Sequence, residues 1–193
     1  IIHGGDSFLS QGEYMRFFRS FKITRASLRP QRGWKANLAD DLGRGWEVLQ
    51  PTMPNKMNAR YAEWKIWFEK YRPFIRSQAI FVGHSMGGIF LAKYLSEHRW
   101  PKKIKAVLLV APPHNRTEGV GDFRLRRPLA KIANQVQKII VFHSVDDPVV
   151  PYREMSVYVQ ALPNIETYSF KNRGHFTQPH FPELVRVLKT IRG

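Results

Sequence analysis

Residues 106–111 read AVLLVA, an apolar run with no polar interruption. A strand with one face in water would alternate, so an unbroken run suits a strand covered on both faces, as in a parallel sheet. Parallel neighbours need crossover connections, and strand-like apolar segments do alternate along the chain with segments of helical period. Strands are expected at 1–3, 46–50, 78–83, 104–111, 138–143 and 166–170. Helices are expected at 34–42, 58–71, 86–98, 125–136, 153–162 and 181–191, with Asn58 as an N-cap and Gly43 as a stop. No internal repeat or low-complexity linker divides the 193 residues, so one α/β domain over 1–193 is predicted, large enough to bury a real core. Right-handed crossovers align the carboxyl ends of the strands along one edge, where loops converge.

The third expected strand runs into Gly83, His84, Ser85, Met86 and Gly87 and then into an expected helix. This is a GxSxG element in strand–turn–helix context, a nucleophile elbow that exposes the serine hydroxyl on a sharp turn. Small residues on either side let strand and helix approach closely. The helix aims its free N–H groups and partial positive charge at the reacting centre, so the Met86 N–H is placed to bind a developing oxyanion.

Composition limits the chemistry and suggests partners. With no Cys, disulfides, thiolate metal sites and cysteine nucleophiles are excluded, and a cytoplasmic setting is the expectation. The chain opens at Ile1 within an apolar strand and without an initiator Met, which predicts residues upstream and leaves an export signal open. Charge is too interspersed for a membrane span. Lys plus Arg total 31 against 15 acidic residues, a net +16 that must appear as positive surface potential. Much of it lies at about 10–33, where Arg16, Arg19, Lys22, Arg25, Arg29 and Arg32 accompany Phe17, Phe18 and Phe21. Basic residues every three or four positions would share one helix face, with the phenylalanines either exposed or packed inward. Contact with anionic surfaces would then be electrostatic, without specific nucleic-acid recognition.

HGGDSF after the first expected strand, QPTMPN after the second, VGHSMGG, HSVDDPVVP and NRGHF together resemble the α/β-hydrolase superfamily, and within it the small serine hydrolases of the retinoblastoma-binding-protein-9-like group. The resemblance covers most of the chain and has the superfamily's Ser, Asp, His order. It implies a mostly parallel sheet of about six strands. It also implies hydrolysis of an ester, thioester or amide in a small acyl substrate through an acyl-serine, without metal or organic cofactor. The segment at about 10–33 departs from the family, which goes quickly from HGGDSF to its first helix.

A serine hydroxyl needs a base within hydrogen-bond reach, itself oriented by a carboxylate. His175, between the last expected strand and helix, is the candidate base, while His180 at a helix entrance reads as structural. Asp146 and Asp147 are both candidates for the acid, because adjacent turn residues project differently and only one can face the imidazole. The family pattern, with the acid just before a Pro-containing turn, selects Asp147 and leaves Asp146 as a turn former. The HG-type loop implies a second oxyanion donor, assigned to the Gly5 N–H with Asp6 as its neighbouring candidate. Gly5, Asp6, Ser7 and Phe8 also resemble the amino-terminal block of GDSL-type hydrolases, in which Ser7 would be the nucleophile. Those enzymes carry a late DxxH element, whereas the residue three before His175 is Asn172. Residues 113–138 leave room for one loop and about one helix, so no large lid is expected, and His114, Asn115 and Arg116 are candidates for the site rim. Two other classes remain: a non-catalytic interaction protein on a hydrolase scaffold, and an anion binder led by its charge.

Overall fold

The computed structural model describes residues 1–25, 28 and 32–192. Four strands, β1 (Ala79–His84), β2 (Ile104–Val110), β3 (Val136–Ser144) and β4 (Ile165–Phe170), pair in that spatial order, every pair parallel. Odd positions such as Val107, Leu109, Ile139 and Val141 face one core, made with α3 (Tyr61–Lys70), α4 (Met86–Glu97) and α5 (Arg153–Ala161). Even positions such as Leu108, Val110, Ile140 and Phe142 face a second core, made with α2 (Trp34–Leu42) and α6 (Pro182–Arg192). This two-sided burial explains the AVLLVA run. In α6 the buried residues Leu184, Val187, Leu188 and Ile191 follow helical spacing.

Several expected boundaries are corrected. The sheet has four strands among the described residues rather than about six. The 1–3 segment reduces to one parallel bridge, Ile2 to Gly83, and 46–50 forms no ladder; its Leu49 carbonyl accepts from the Ile1 ammonium at 2.7 Å. The third helix begins at Tyr61, not Asn58, because its cap comes from elsewhere in the chain: the Asp122 carboxylate accepts the Tyr61 N–H at 3.1 Å. The expected 125–136 helix contains Pro128, which lacks an N–H, and only a 3-10 stretch at Leu129–Asn134 follows it. Gly43 ends α2 at φ +79, as expected.

The segment at 10–33 opens with α1 (Gln11–Ser20), capped by the Ser10 hydroxyl, which accepts the Glu13 N–H. The helix stops at Ser20, so only Arg16 and Arg19 share it. Lys22, Arg25 and Arg32 lie beyond it, and Arg29 falls outside the described residues. Phe17 packs on Phe8 at 5.0 Å between ring centres, whereas Phe18 and Phe21 are 52% and 50% exposed. Among the described residues no large lid covers the strand ends, and no helix is long and apolar enough to cross a membrane.

Candidate active site

Strand β1 ends at His84 and helix α4 begins at Met86, so Ser85 alone makes the turn, at φ 54 and ψ −124. Positive φ in a non-glycine residue is strained and persists only where the surroundings impose it. They do so here. A Cβ added to Gly83 would lie 2.4 Å from the Gly87 carbonyl oxygen, and one on Gly87 would lie 2.2 Å from that of Ile2. The Ser85 N–H donates to the Val110 carbonyl at 2.8 Å, tying the turn to the end of β2. As the first helical residue, Met86 has an N–H without an intrahelical acceptor. Loop 3–6 runs alongside, where a Cβ on Gly4 would sit 3.0 Å from the Ser85 Cβ. The Asp6 N–H is committed to the Lys56 carbonyl at 2.8 Å, whereas the Gly5 N–H has no acceptor among the described residues.

The structure brings His175 and Asp147 together. His175 Nδ1 lies 2.9 Å and 3.1 Å from the two Asp147 carboxylate oxygens. The carboxylate is fully covered and also accepts the N–H groups of Val149 at 2.8 Å and Val150 at 2.9 Å. Burial pushes this carboxyl up, but the hydrogen bonds from His175, Val150 and Val149 outweigh it and hold the group below its usual range. Asp146 turns away to accept the Ser144 hydroxyl and, at 2.9 Å, the Gly174 N–H, and both bonds lower its pKa. Ser144 in turn accepts the Arg173 N–H at 3.0 Å, so Asp146 and Ser144 pin the chain just ahead of His175. Ser85 Oγ makes no hydrogen bond to the His175 ring here; such contacts are commonly loose before substrate binds. Burial raises the Asp6 carboxyl, and the His175 ring partly opposes that shift, which puts Asp6 within electrostatic reach of the site.

Three contacts escaped the sequence. His84 Nε2 lies 2.8 Å from the His175 carbonyl oxygen, and the two rings are 4.9 Å apart. Lys35 Nζ lies 3.2 Å from His84 Nδ1. His143 Nε2 lies 3.0 Å from the Val150 carbonyl oxygen and 3.8 Å from an Asp147 oxygen, behind the carboxylate loop. No motif marks Lys35, whose only signal is its place beside Trp34 at the start of α2. His3 Nε2 accepts the Met53 N–H at 2.8 Å, so its Nδ1–H donates to the Gly4 carbonyl at 2.6 Å and ties the HGG loop to the QPTMPN loop.

Other candidates lie apart from this arrangement. The Ser7 hydroxyl is buried and donates to Asp122 at 3.3 Å. Exposed His180 pairs with Asp41 at 3.0 Å, a structural contact. Asn115 clasps the Leu125 backbone through both ends of its amide, at 2.6 and 2.8 Å. A cleft of about 680 Å³ between α1 and the 118–124 loop is lined by Asp6, Phe8, Arg16, Phe17, Gly119 and Arg124.

A parallel sheet covered by helices on both faces, with a serine elbow after one strand and acid and imidazole on later loops, defines an α/β hydrolase. Solved structures agree on the fold. The ydeN gene product from B. subtilis superposes with a TM-score of 0.73 at 19% identity, covering 99% of this chain and 96% of that one. A putative yden-like hydrolase from Pectobacterium atrosepticum gives 0.61 at 17% identity, with 86% of each chain covered. In sequence, the family model described as "Serine hydrolase" matches residues 27–183. Serine hydrolase RBBP9 of Rattus norvegicus is 32% identical over 155 residues, 76% of this chain and 78% of that protein. The chain belongs to the serine hydrolase family.

Proposed function

We propose that this protein is an esterase-like serine hydrolase that cleaves small or short-acyl esters, thioesters or amides through an acyl intermediate on Ser85. The observation that carries the reading is the His175–Asp147 hydrogen bond. With Nδ1–H donated to the carboxylate, Nε2 is left as the basic nitrogen. In the proposed cycle Ser85 Oγ attacks the substrate carbonyl carbon as His175 Nε2 takes its proton. The oxyanion is held by the N–H groups of Met86 and Gly5. The intermediate collapses with breakage of the bond to the leaving group, which receives the Nε2 proton. Water then attacks the acyl-serine, giving its proton to Nε2, and the acid product departs as Ser85 Oγ is reprotonated. Asp147 keeps the tautomer and stabilises the imidazolium throughout.

The short 113–138 connection supports a preference for short acyl groups, since little chain is available to bury a long one. Ser7 has less support as nucleophile, because its hydroxyl is engaged with Asp122. The exposed Arg16, Arg19, Lys22, Arg25 and Arg32 support a second, non-specific role, salt-sensitive contact with anionic surfaces. The absence of cysteine supports a cytoplasmic setting. Reaction with a fluorophosphonate, which phosphonylates an activated serine, tests the central reading: the adduct is expected on Ser85 and should vanish in Ser85→Ala.

A further inference from the structure

Lys35 is the second residue of α2 and is half-buried next to the elbow, yet no carboxylate of the described residues lies within 4.0 Å of it. Its ammonium sits 4.9 Å from the centre of the Trp34 ring and 3.2 Å from His84 Nδ1. Burial lowers its pKa to about 8. A half-buried cation without an ion-pair partner gives up some hydration for no Coulombic return, so on packing grounds alone an apolar side chain would serve this position about as well.

What Lys35 does supply is a proton donor that cannot accept. At the pH where it is charged, the His84 nitrogen facing it must carry the lone pair. The ring proton is then on Nε2, where it donates to the His175 carbonyl at 2.8 Å. In the opposite tautomer a nitrogen lone pair would face the carbonyl oxygen and the contact would be repulsive. Burial and then the Lys35 charge keep His84 well below its usual pKa, so the ring stays neutral. The rest of the loop hangs on the same end of α2: Trp34 Nε1 donates to the Phe176 carbonyl at 2.9 Å, and the Trp34 N–H to that of Gln178 at 2.7 Å.

We propose that Lys35 is a positioning residue for the general base: together with the His175 carbonyl it fixes the His84 tautomer that holds the His175 main chain, and so sets the His175 ring relative to Asp147 and Ser85. The inference rests on the reading of His175 as base, and it adds a contact to the His175 main chain to the one Asp147 makes with the ring. A misplaced base costs rate rather than ground-state binding.

The test combines kinetics with a direct reading of the tautomer. Lys35→Met keeps the stem against Trp34 and removes the donor, Lys35→Arg keeps a donor, and His84→Gln offers an amide N–H whose direction needs no tautomer. With p-nitrophenyl acetate as probe, Lys35→Met should lower kcat by about 10- to 100-fold, with KM little changed and the melting temperature equal or higher. Lys35→Arg should recover part of that loss. Nitrogen-15 imidazole spectra should show His84 protonated at Nε2 in the parent and shifted toward the Nδ1 form in Lys35→Met. In the His84→Gln background, Lys35→Met should have little further effect on kcat. Parent-like kcat in Lys35→Met, an unchanged His84 tautomer, or a loss that adds fully to that of His84→Gln would overturn the proposal. If the parent neither hydrolyses the ester nor reacts with a fluorophosphonate, the hydrolase reading fails, and the positioning role for a catalytic base falls with it. The tautomer spectra would then still decide whether Lys35 orients His84.

Discussion

Replacing Asp147 by Asn leaves the shape of the loop almost intact. An Asn Oδ1 can still accept the N–H groups of Val149 and Val150, now 2.8 and 2.9 Å from the carboxylate. The group facing His175 Nδ1, however, becomes an amide donor, which forces the imidazole proton onto Nε2 and removes the basic lone pair that the proposed cycle assigns to the proton of Ser85. In Ser–His–Asp systems a wrong tautomer costs about 10⁴ in kcat, which is about 5.4 kcal/mol at 1.36 kcal/mol per tenfold. Loss of charge from the buried acceptor should cost at most about 3 kcal/mol of stability, a fall in Tm of about 6–12 °C for a chain of this size. Asp146→Asn keeps the acceptor used by Gly174 and Ser144, and Asp146 does not touch the imidazole, so it should retain most of the activity. Ester hydrolysis at 25 °C, with Tm recorded for each variant, measures both. His175→Ala should lose turnover as severely as Asp147→Asn. The sign of the pH dependence follows from the depressed Asp147 pKa: its contribution to stability is present above the unfolded value of about 4 and is lost as pH falls through the lower folded value. The Tm gap between parent and Asp147→Asn should therefore narrow in acid. Greater damage from Asp146→Asn than from Asp147→Asn, at unchanged Tm, would refute the assignment.

Acetyl and butyryl p-nitrophenyl esters should be cleaved with higher kcat/KM than the palmitoyl ester; a preference for long chains with activation at a lipid interface would contradict the short 113–138 connection. Gly87→Ala places a Cβ 2.2 Å from the Ile2 carbonyl oxygen and 2.7 Å from that of His3. It should cost on the order of 1–3 kcal/mol in denaturant unfolding and slow fluorophosphonate labelling, and parent values for both would count against the elbow packing. Changing Arg16, Arg19, Lys22 and Arg25 to Gln should lower the salt needed to elute the protein from heparin or release it from anionic liposomes. Equal retention of the two proteins would mean that the excess charge acts diffusely.

The strand–turn–helix signal around Ser85 was legible because it is local: spacing and small residues alone specify the turn. The same holds for the core strands 104–111 and 138–143, whose apolar runs follow from burial on both faces. Signals that depend on distant partners were not legible. Asp122 caps α3 across 61 residues of sequence, so the helix begins at Tyr61 without a local capping side chain. The Ile2 segment satisfies its backbone through a single bridge to β1, which an apolar pattern cannot tell from a full strand. The choice between Asp146 and Asp147 needed a family pattern, because the direction of each carboxylate depends on which main-chain N–H groups surround it. In the sequence Lys35 is one more basic residue among 31; only the fold brings it to His84, 49 positions on.

Labelling with a fluorophosphonate, followed by mapping of the modified peptide by mass spectrometry, tests the central claim most directly. The account predicts one stoichiometric adduct on Ser85, absent in Ser85→Ala and strongly slowed in His175→Ala. An adduct that survives Ser85→Ala and disappears in Ser7→Ala would move the nucleophile to the other loop, and a folded parent protein that takes up no label would contradict the claim that Ser85 is an activated serine.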